Sequence, residues 1–373
     1  MKIFIISRAW WPIVKGGSEK FIYRVYERLL RKGYDVHVFT RSDVKNDDRI
    51  HVIRSRMSMP IISSYKFSRK AASYTNSMRP DVTIINSYWG ESSSLYIKRD
   101  IPVISIIHDV GLFRSPIARK DLVRYYLRKH VLRKVVERAD KIVVPTEIVK
   151  KDLERFLSAD PDKIYVLGSE GADAPLRYEH IDNEFFDIVQ IARFSPNKAQ
   201  HLSLKMIRRL AEERKDVRLW LVGGSGVSRS EIEYMMQIVR EAEEINKMFN
   251  RKIVEIIIDA EDVSQYYKIA DLCIAPSIAE EGYGLSIIEC MGYGKPVIAS
   301  EIFHETGVVD EDRAYIFKIN DLDKFVDLVK YVIDHKEEAL AKASKSLEYV
   351  RERCSWDNVV DKLEKIMLDL VKS

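Results

Sequence analysis

Cysteine is scarce in this chain. Its 373 residues include only Cys273, Cys290 and Cys354, and their scattered spacing offers neither a disulfide framework nor a metal-ligand pattern. Cys273 and Cys290 lie in apolar runs and read as small core residues. No apolar stretch is long enough to span a bilayer. Ile3-Phe4-Ile5-Ile6 is too short for the apolar region of a signal peptide and reads as a buried first strand. The cytosol is therefore the default compartment. The loop after that strand lacks G-x-G-x-x-G, which speaks against a dinucleotide oxidoreductase.

The net charge of +4 conceals an asymmetry. Residues 1–180 hold 34 Lys and Arg against 21 Asp and Glu, a net +13, while the remainder holds 27 against 36, a net −9. A basic first half suits an anionic partner such as a membrane surface, a lipid phosphate or an acidic glycan. Residues 112–138 concentrate it, with nine Lys and Arg against two acids and with Leu122, Tyr125, Tyr126, Leu132 and Val136 interleaved. This is either a solvated basic face over a core stripe or a surface that docks on anionic headgroups. Nucleic acid is not expected, because no recognition motif accompanies the charge.

Apolar strands alternate with amphipathic helical stretches throughout, the pattern of doubly wound α/β domains. At 373 residues two such domains are expected. One stretch organises the rest. Asp271 to Ser277 is a strand, and Glu280-Glu281-Gly282-Tyr283-Gly284 turns into a short helix that carries Glu289. Glu281 and Glu289 are eight residues apart, roughly 12 Å at helical rise. The free N–H groups of Gly284, Leu285 and Ser286 lie between them and form an anion site. Upstream, Gly16-Gly17 precedes a helix, and the strand Ile101–Ile107 delivers His108-Asp109 at its C-terminal end. Phe186–Ile191 leads to Arg193-Phe194-Ser195-Pro196-Asn197-Lys198, two cations flanking a turn, as a diphosphate clamp requires. Arg218–Val222 reaches Gly223-Gly224-Ser225-Gly226.

The Glu281-to-Glu289 stretch resembles the E-x7-E motif of retaining GT-B glycosyltransferases of family GT4. Further matches are Gly16-Gly17-x-Glu19, His108-Asp109, Glu170-Gly171-Ala172-Asp173 for N-G-V-D, and Ala192-Arg193 to Lys198 for G-R-L-x-x-x-K. The resemblance runs from residue 16 to about residue 357. It implies two Rossmann-like domains facing a central cleft, with a C-terminal helix crossing back: residues 1–173 on the acceptor side, 174–184 a linker, 185–354 binding the nucleotide sugar, and 355–373 the crossover helix.

The resemblance also implies roles. Glu289 accepts from the ribose hydroxyls. Arg193 and Lys198 neutralise the diphosphate, helped by Gly16, Gly17, Gly224 and the helix start at Gly284, Leu285 and Ser286. Glu281 and His108 hold the sugar. The implied enzyme moves a hexosyl group from a UDP-, GDP- or ADP-sugar to a lipid or glycan acceptor, with no cofactor and no metal, in the cytoplasm or at the inner face of the cell membrane. A sugar-nucleotide epimerase, a glycan phosphorylase and a non-catalytic membrane-binding or nucleotide-sugar-sensing protein are the alternatives.

Overall fold

The structure is a computed structural model. It describes the whole chain except residues 15, 46, 55–59, 87–90, 111–112, 114–121, 169–170, 226–228, 280–282, 306 and 373. Two compact units emerge, one of Met1–Gly171 with Trp356–Ser373 and the other of Ala172–Ser355.

The first unit contains β1 (Lys2–Ser7), α1 (Gly17–Arg31), β2 (Asp35–Thr40), β3 (Ile50–Val52), α2 (Pro60–Met78), β4 (Val82–Asn86), β5 (Val103–Ile106), α3 (Leu122–Arg138), β6 (Lys141–Val144), α4 (Glu147–Leu157) and β7 (Ile164–Val166). Its strands form one parallel sheet in the order β3-β2-β1-β4-β5-β6-β7. Strands such as Val82–Asn86 are buried at every position, as a sheet covered on both faces demands. Thr146 caps α4 by accepting from the Val149 N–H.

The second unit contains β8 (Phe186–Ile191), α5 (Gln200–Glu213), β9 (Val217–Gly223), α6 (Arg229–Met248), β10 (Val254–Ile258), α7 (Ser264–Ile269), β11 (Leu272–Ala275), α8 (Leu285–Gly292), β12 (Val297–Ser300), α9 (Glu301–Glu305), β13 (Tyr315–Phe317), α10 (Leu322–Asp334) and α11 (Lys336–Arg353). The sheet order is β10-β9-β8-β11-β12-β13, again parallel.

Strand order reverses in each sheet beside its first strand, between β1 and β4 and between β8 and β11. Open parallel sheets bind ligands outside the C-terminal ends of the strands at such switch points.

The chain ends in α12 (Trp356–Lys372), which belongs to the first unit. It buries Trp356, Val359, Val360, Leu363, Ile366 and Met367. The Trp356 ring meets Phe21 of α1, and Lys32 reaches both Asp361 and Glu364 at 2.7 Å.

Three features go beyond the sequence reading, and one expectation needs correction. The expected linker 174–184 packs on the second unit, where the Glu179 and Ile181 N–H groups donate to the carbonyls of Tyr293 and Lys268. Helices α10 and α11 are separate, because His335 between them leaves helical geometry at φ −126° and ψ 53°. The serine-rich α2 escaped a reading based on apolar periodicity. Finally, Cys273 and Cys290 form a disulfide between β11 and α8, with Cα atoms 6.6 Å apart. Seventeen residues separate them in sequence, and only the return of the helix over its own strand pairs them. Buried disulfides occur in oxidising compartments and also inside heat-adapted cells, so cysteine usage no longer argues for the cytosol. Among the described residues, no helix is long and apolar enough to cross a membrane.

Candidate active site

In the second unit, four loops meet at the C-terminal edge of the sheet beside the β8/β11 switch point. The loop after β8 carries Arg193 and Lys198. Its backbone is fixed on three sides: Phe194 N–H donates to Gly224 O at 3.1 Å, Ile278 N–H donates to Asn197 O at 2.9 Å, and Gln190 Nε2 donates to Lys198 O at 2.7 Å. Gln190 is itself held by the Ser203 hydroxyl at 2.7 Å. The close approach of this loop to β9 requires Gly223, since a Cβ there would sit 1.8 Å from the Ala192 carbonyl oxygen. Beyond it, Asp259 at the end of β10 accepts from the Ser225 N–H at 2.9 Å.

The loop after β11 runs into α8. Gly284 caps that helix at φ +91°, a region other residues rarely adopt, and a Cβ there would lie 2.8 Å from the Phe303 ring. The first N–H groups of α8, at Leu285 and Ser286, have no partner within the helix and carry the positive end of its dipole. One turn on, Glu289 is buried, only 6 % exposed. Tyr267 of α7 lies 3.0 Å from Glu289 Oε2 and 3.2 Å from the Ser286 carbonyl, two acceptors for its single proton. Burial, and secondarily the Glu289 carboxylate, pushes the Tyr267 phenol well above its ordinary range, so it remains a donor. Its ring stacks on Tyr293 with centroids 5.2 Å apart.

Arg193, Lys198, Gly224, Gly284, Leu285, Ser286 and Glu289 therefore share one edge of one sheet. Arg193 is half exposed, and its Nε stands 3.6 Å from Glu231 on α6. Lys198 is half-buried. Glu281 lies outside the described residues.

The first unit repeats the arrangement at its own switch point. Gly16 is the N-cap of α1, and a Cβ on it would meet Glu19 Oε2 at 2.1 Å. Asn86, at the end of β4, connects this loop to His108. Its Nδ2 donates to the Ser18 carbonyl at 3.2 Å and to Ser7 Oγ at 3.3 Å, and its Oδ1 stands 2.8 Å from His108 Nε2. A carbonyl only accepts, so Oδ1 must face the histidine, and Nε2 carries the donated proton. Phe21 abuts the imidazole edge-on at 5.2 Å. Gly16, Gly17 and His108 are thus neighbours through a residue that sequence reasoning missed. The polar Asn86, closing an apolar strand beside the histidine's strand, was the available signal.

Two family models match the chain: Glycosyltransferase Family 4 over residues 15–168 and Glycosyl transferases group 1 over residues 177–349. The chain belongs to the group 1, family 4 glycosyltransferases. The fold of this glycosyltransferase is GT-B, with two Rossmann-like domains. It is similar to the solved sucrose-phosphate synthase from Thermosynechococcus elongatus (TM-score 0.83, 20 % identity, covering 99 % of this chain and 98 % of that one). Anabaena HepE in complex with UDP and glucose gives a TM-score of 0.80 at 16 % identity, covering 99 % and 100 %. Among relatives by sequence, the D-inositol 3-phosphate glycosyltransferase of Mycolicibacterium smegmatis is 24 % identical to this glycosyltransferase over 381 residues, 93 % of this chain and 85 % of the relative.

Proposed function

We propose that this glycosyltransferase moves a hexosyl group, with retention of anomeric configuration and without a metal, from a nucleotide-diphosphate sugar to a lipid-linked or glycan acceptor. The observation that carries the reading is the meeting at one switch point of the cation-bearing turn 193–198, the open helix start at 284–286 and the buried, tyrosine-held Glu289.

Each element has a task in this reading. Glu289 accepts hydrogen bonds from the ribose hydroxyls. Arg193, Lys198 and the first N–H groups of α8 take the diphosphate, with Gly224 letting backbone approach it. Gly16, Gly17, His108 and Glu281 keep the contacts with diphosphate and sugar that the family resemblance gives them. Breaking the glycosidic C–O bond leaves negative charge on the departing phosphate and positive charge on the sugar. Fixed cations and N–H groups stabilise the first, and their effect is largest where charge develops. The acceptor hydroxyl then attacks from the leaving-group face and gives its proton to the departing phosphate oxygen. A bound UDP and glucose in Anabaena HepE supports a nucleotide-sugar donor.

Thermal denaturation with UDP-, GDP- and ADP-sugars tests the donor class. A correct donor at a hundredfold excess over its Kd adds about 2.7 kcal/mol of stability. NMR of the product then reads the anomeric configuration. Failure of every donor to stabilise overturns the reading, release of an epimerised sugar nucleotide selects an epimerase, and dependence on inorganic phosphate selects a phosphorylase.

The acceptor side of the proposal includes an anionic membrane surface. Helix α3 exposes Tyr126 at 63 % and Leu127 at 59 %, with Val131 beside them and with Arg133 and Lys134 also exposed. Apolar side chains flanked by cations fit acyl chains below anionic headgroups. Sedimentation with phosphatidylglycerol vesicles but not phosphatidylcholine vesicles is expected, and Tyr126→Ser with Leu127→Ser abolishes it. Equal sedimentation of that double variant removes α3 from the role.

A further inference from the structure

The second unit has a concavity at the opposite edge of its sheet, where the strands begin. It is open to solvent and is lined by Tyr178, His180, Phe186, Asp271, Lys295 and Lys336, with an apolar wall from α10 and α11. Nothing in the proposed reaction uses it.

Lys295 is its unusual member. The residue is 1 % exposed, yet its amine has no carboxylate at hydrogen-bond distance: its partners are His180 Nδ1 at 2.7 Å and the Lys268 carbonyl at 3.0 Å. The Tyr178 ring centroid lies 5.1 Å away. Among the described residues no carboxylate comes within ion-pair distance of it. Asp271, Asp182 and Glu179 act on it only from farther off. Asp271 is engaged elsewhere, with Oδ2 accepting from the Asp187 N–H at 2.8 Å and Oδ1 facing His180 at 3.8 Å and Lys336 at 4.0 Å. Burial pushes the Lys295 amine down to about 8. An ammonium taken out of water without a counter-ion is costly, and buried charges are ordinarily paired.

We propose that this concavity binds a small organic anion, a carboxylate or phosphate group on an apolar body, with Lys295 as the buried counter-ion and Lys336 at the mouth. The oxyanion accepts the ammonium proton that neither His180 nor the Lys268 carbonyl takes. The apolar body lies against Phe186, whose ring already sits 5.2 Å from Lys336 Nζ, and against the helix wall. The inference is independent of the donor reading, because the site stands at the other edge of the sheet.

Calorimetric titration with benzoate and with phenyl phosphate tests it. Binding with a Kd of about 1 mM is expected at a pH of about 7. Lys295→Met abolishes it, and Lys336→Met, at an exposed side chain, weakens it about tenfold, the effect of one charged contact at a mouth. Lys336→Met guards against misfolding of the buried variant. Lys198→Ala, on the opposite edge, leaves the titration unchanged. Affinity falls about tenfold per pH unit above 8, because Lys295 must be charged to bind. The groups facing it, His180, Glu179 and Asp182 from the 174–184 segment, Asp271, Lys268, Lys336 and Tyr178, are all retained in wild type. The same fall in Lys336→Met, which still binds, excludes Lys336 as its source and leaves Lys295, the facing amine that burial pushes down to about 8. Absence of binding by wild type, unchanged binding by Lys295→Met, or loss of binding in Lys198→Ala alone would overturn the proposal.

Discussion

Lys198→Ala lowers donor turnover by about 10²–10³-fold, the loss seen when one donor to a developing oxyanion is removed. The backbone of the turn has holds of its own, separate from the side chain. Asn197 and Lys198 are held by their carbonyls, through Ile278 N–H and Gln190 Nε2. What disappears is a cation beside a phosphate whose charge grows as the sugar leaves, so kcat falls more than KM rises. Arg193→Ala has a smaller effect, about tenfold, because that side chain is 51 % exposed and already stands against Glu231. If both variants keep near-normal rate and donor affinity, the diphosphate is not held by this turn.

Glu289→Ala acts on binding instead. A carboxylate that accepts from ribose hydroxyls contributes about 1.5–3 kcal/mol, so nucleotide affinity falls about 10–150-fold. Calorimetry with the free nucleoside diphosphate isolates this effect from the chemistry, and an unchanged Kd removes the ribose role. Tyr267→Phe tests the support beneath it. Losing one hydrogen bond to Glu289 costs about 1 kcal/mol, roughly a fivefold loss of affinity. The double variant should then bind no worse than Glu289→Ala alone, because the tyrosine acts through the carboxylate. Additive losses would mean that Tyr267 contributes separately, through the Ser286 carbonyl 3.2 Å away.

Much of this site was legible before any coordinates. A strand end followed by two glycines and a helix start has few physical uses, and Gly284 stands at that helix start in the left-handed region. The cations of 193–198 fall on a turn at the end of a strand, as their spacing required. What the sequence did not disclose were the residues that hold the named ones. Tyr267 is twenty-two residues from Glu289, and Asn86 is twenty-two residues from His108. Neither belongs to a recognisable motif. Each matters through one hydrogen bond to a side chain on a neighbouring element, and such a bond leaves no periodicity.

By itself, the sequence determined what is local: which segments are buried strands, where helices start and stop, and which strand ends carry glycine, cation or carboxylate. Backbone preference, hydrophobic period and capping act within a few residues, so they can be read along the chain. Only the tertiary structure decided which strand ends are neighbours. The order β10-β9-β8-β11-β12-β13 brings the Lys198 turn beside the helix of Glu289, pairs Cys273 with Cys290, folds residues 174–184 onto the second unit and buries Lys295 beside His180. Those outcomes depend on how whole elements stack to bury apolar surface, a property of the assembled unit rather than of any one stretch.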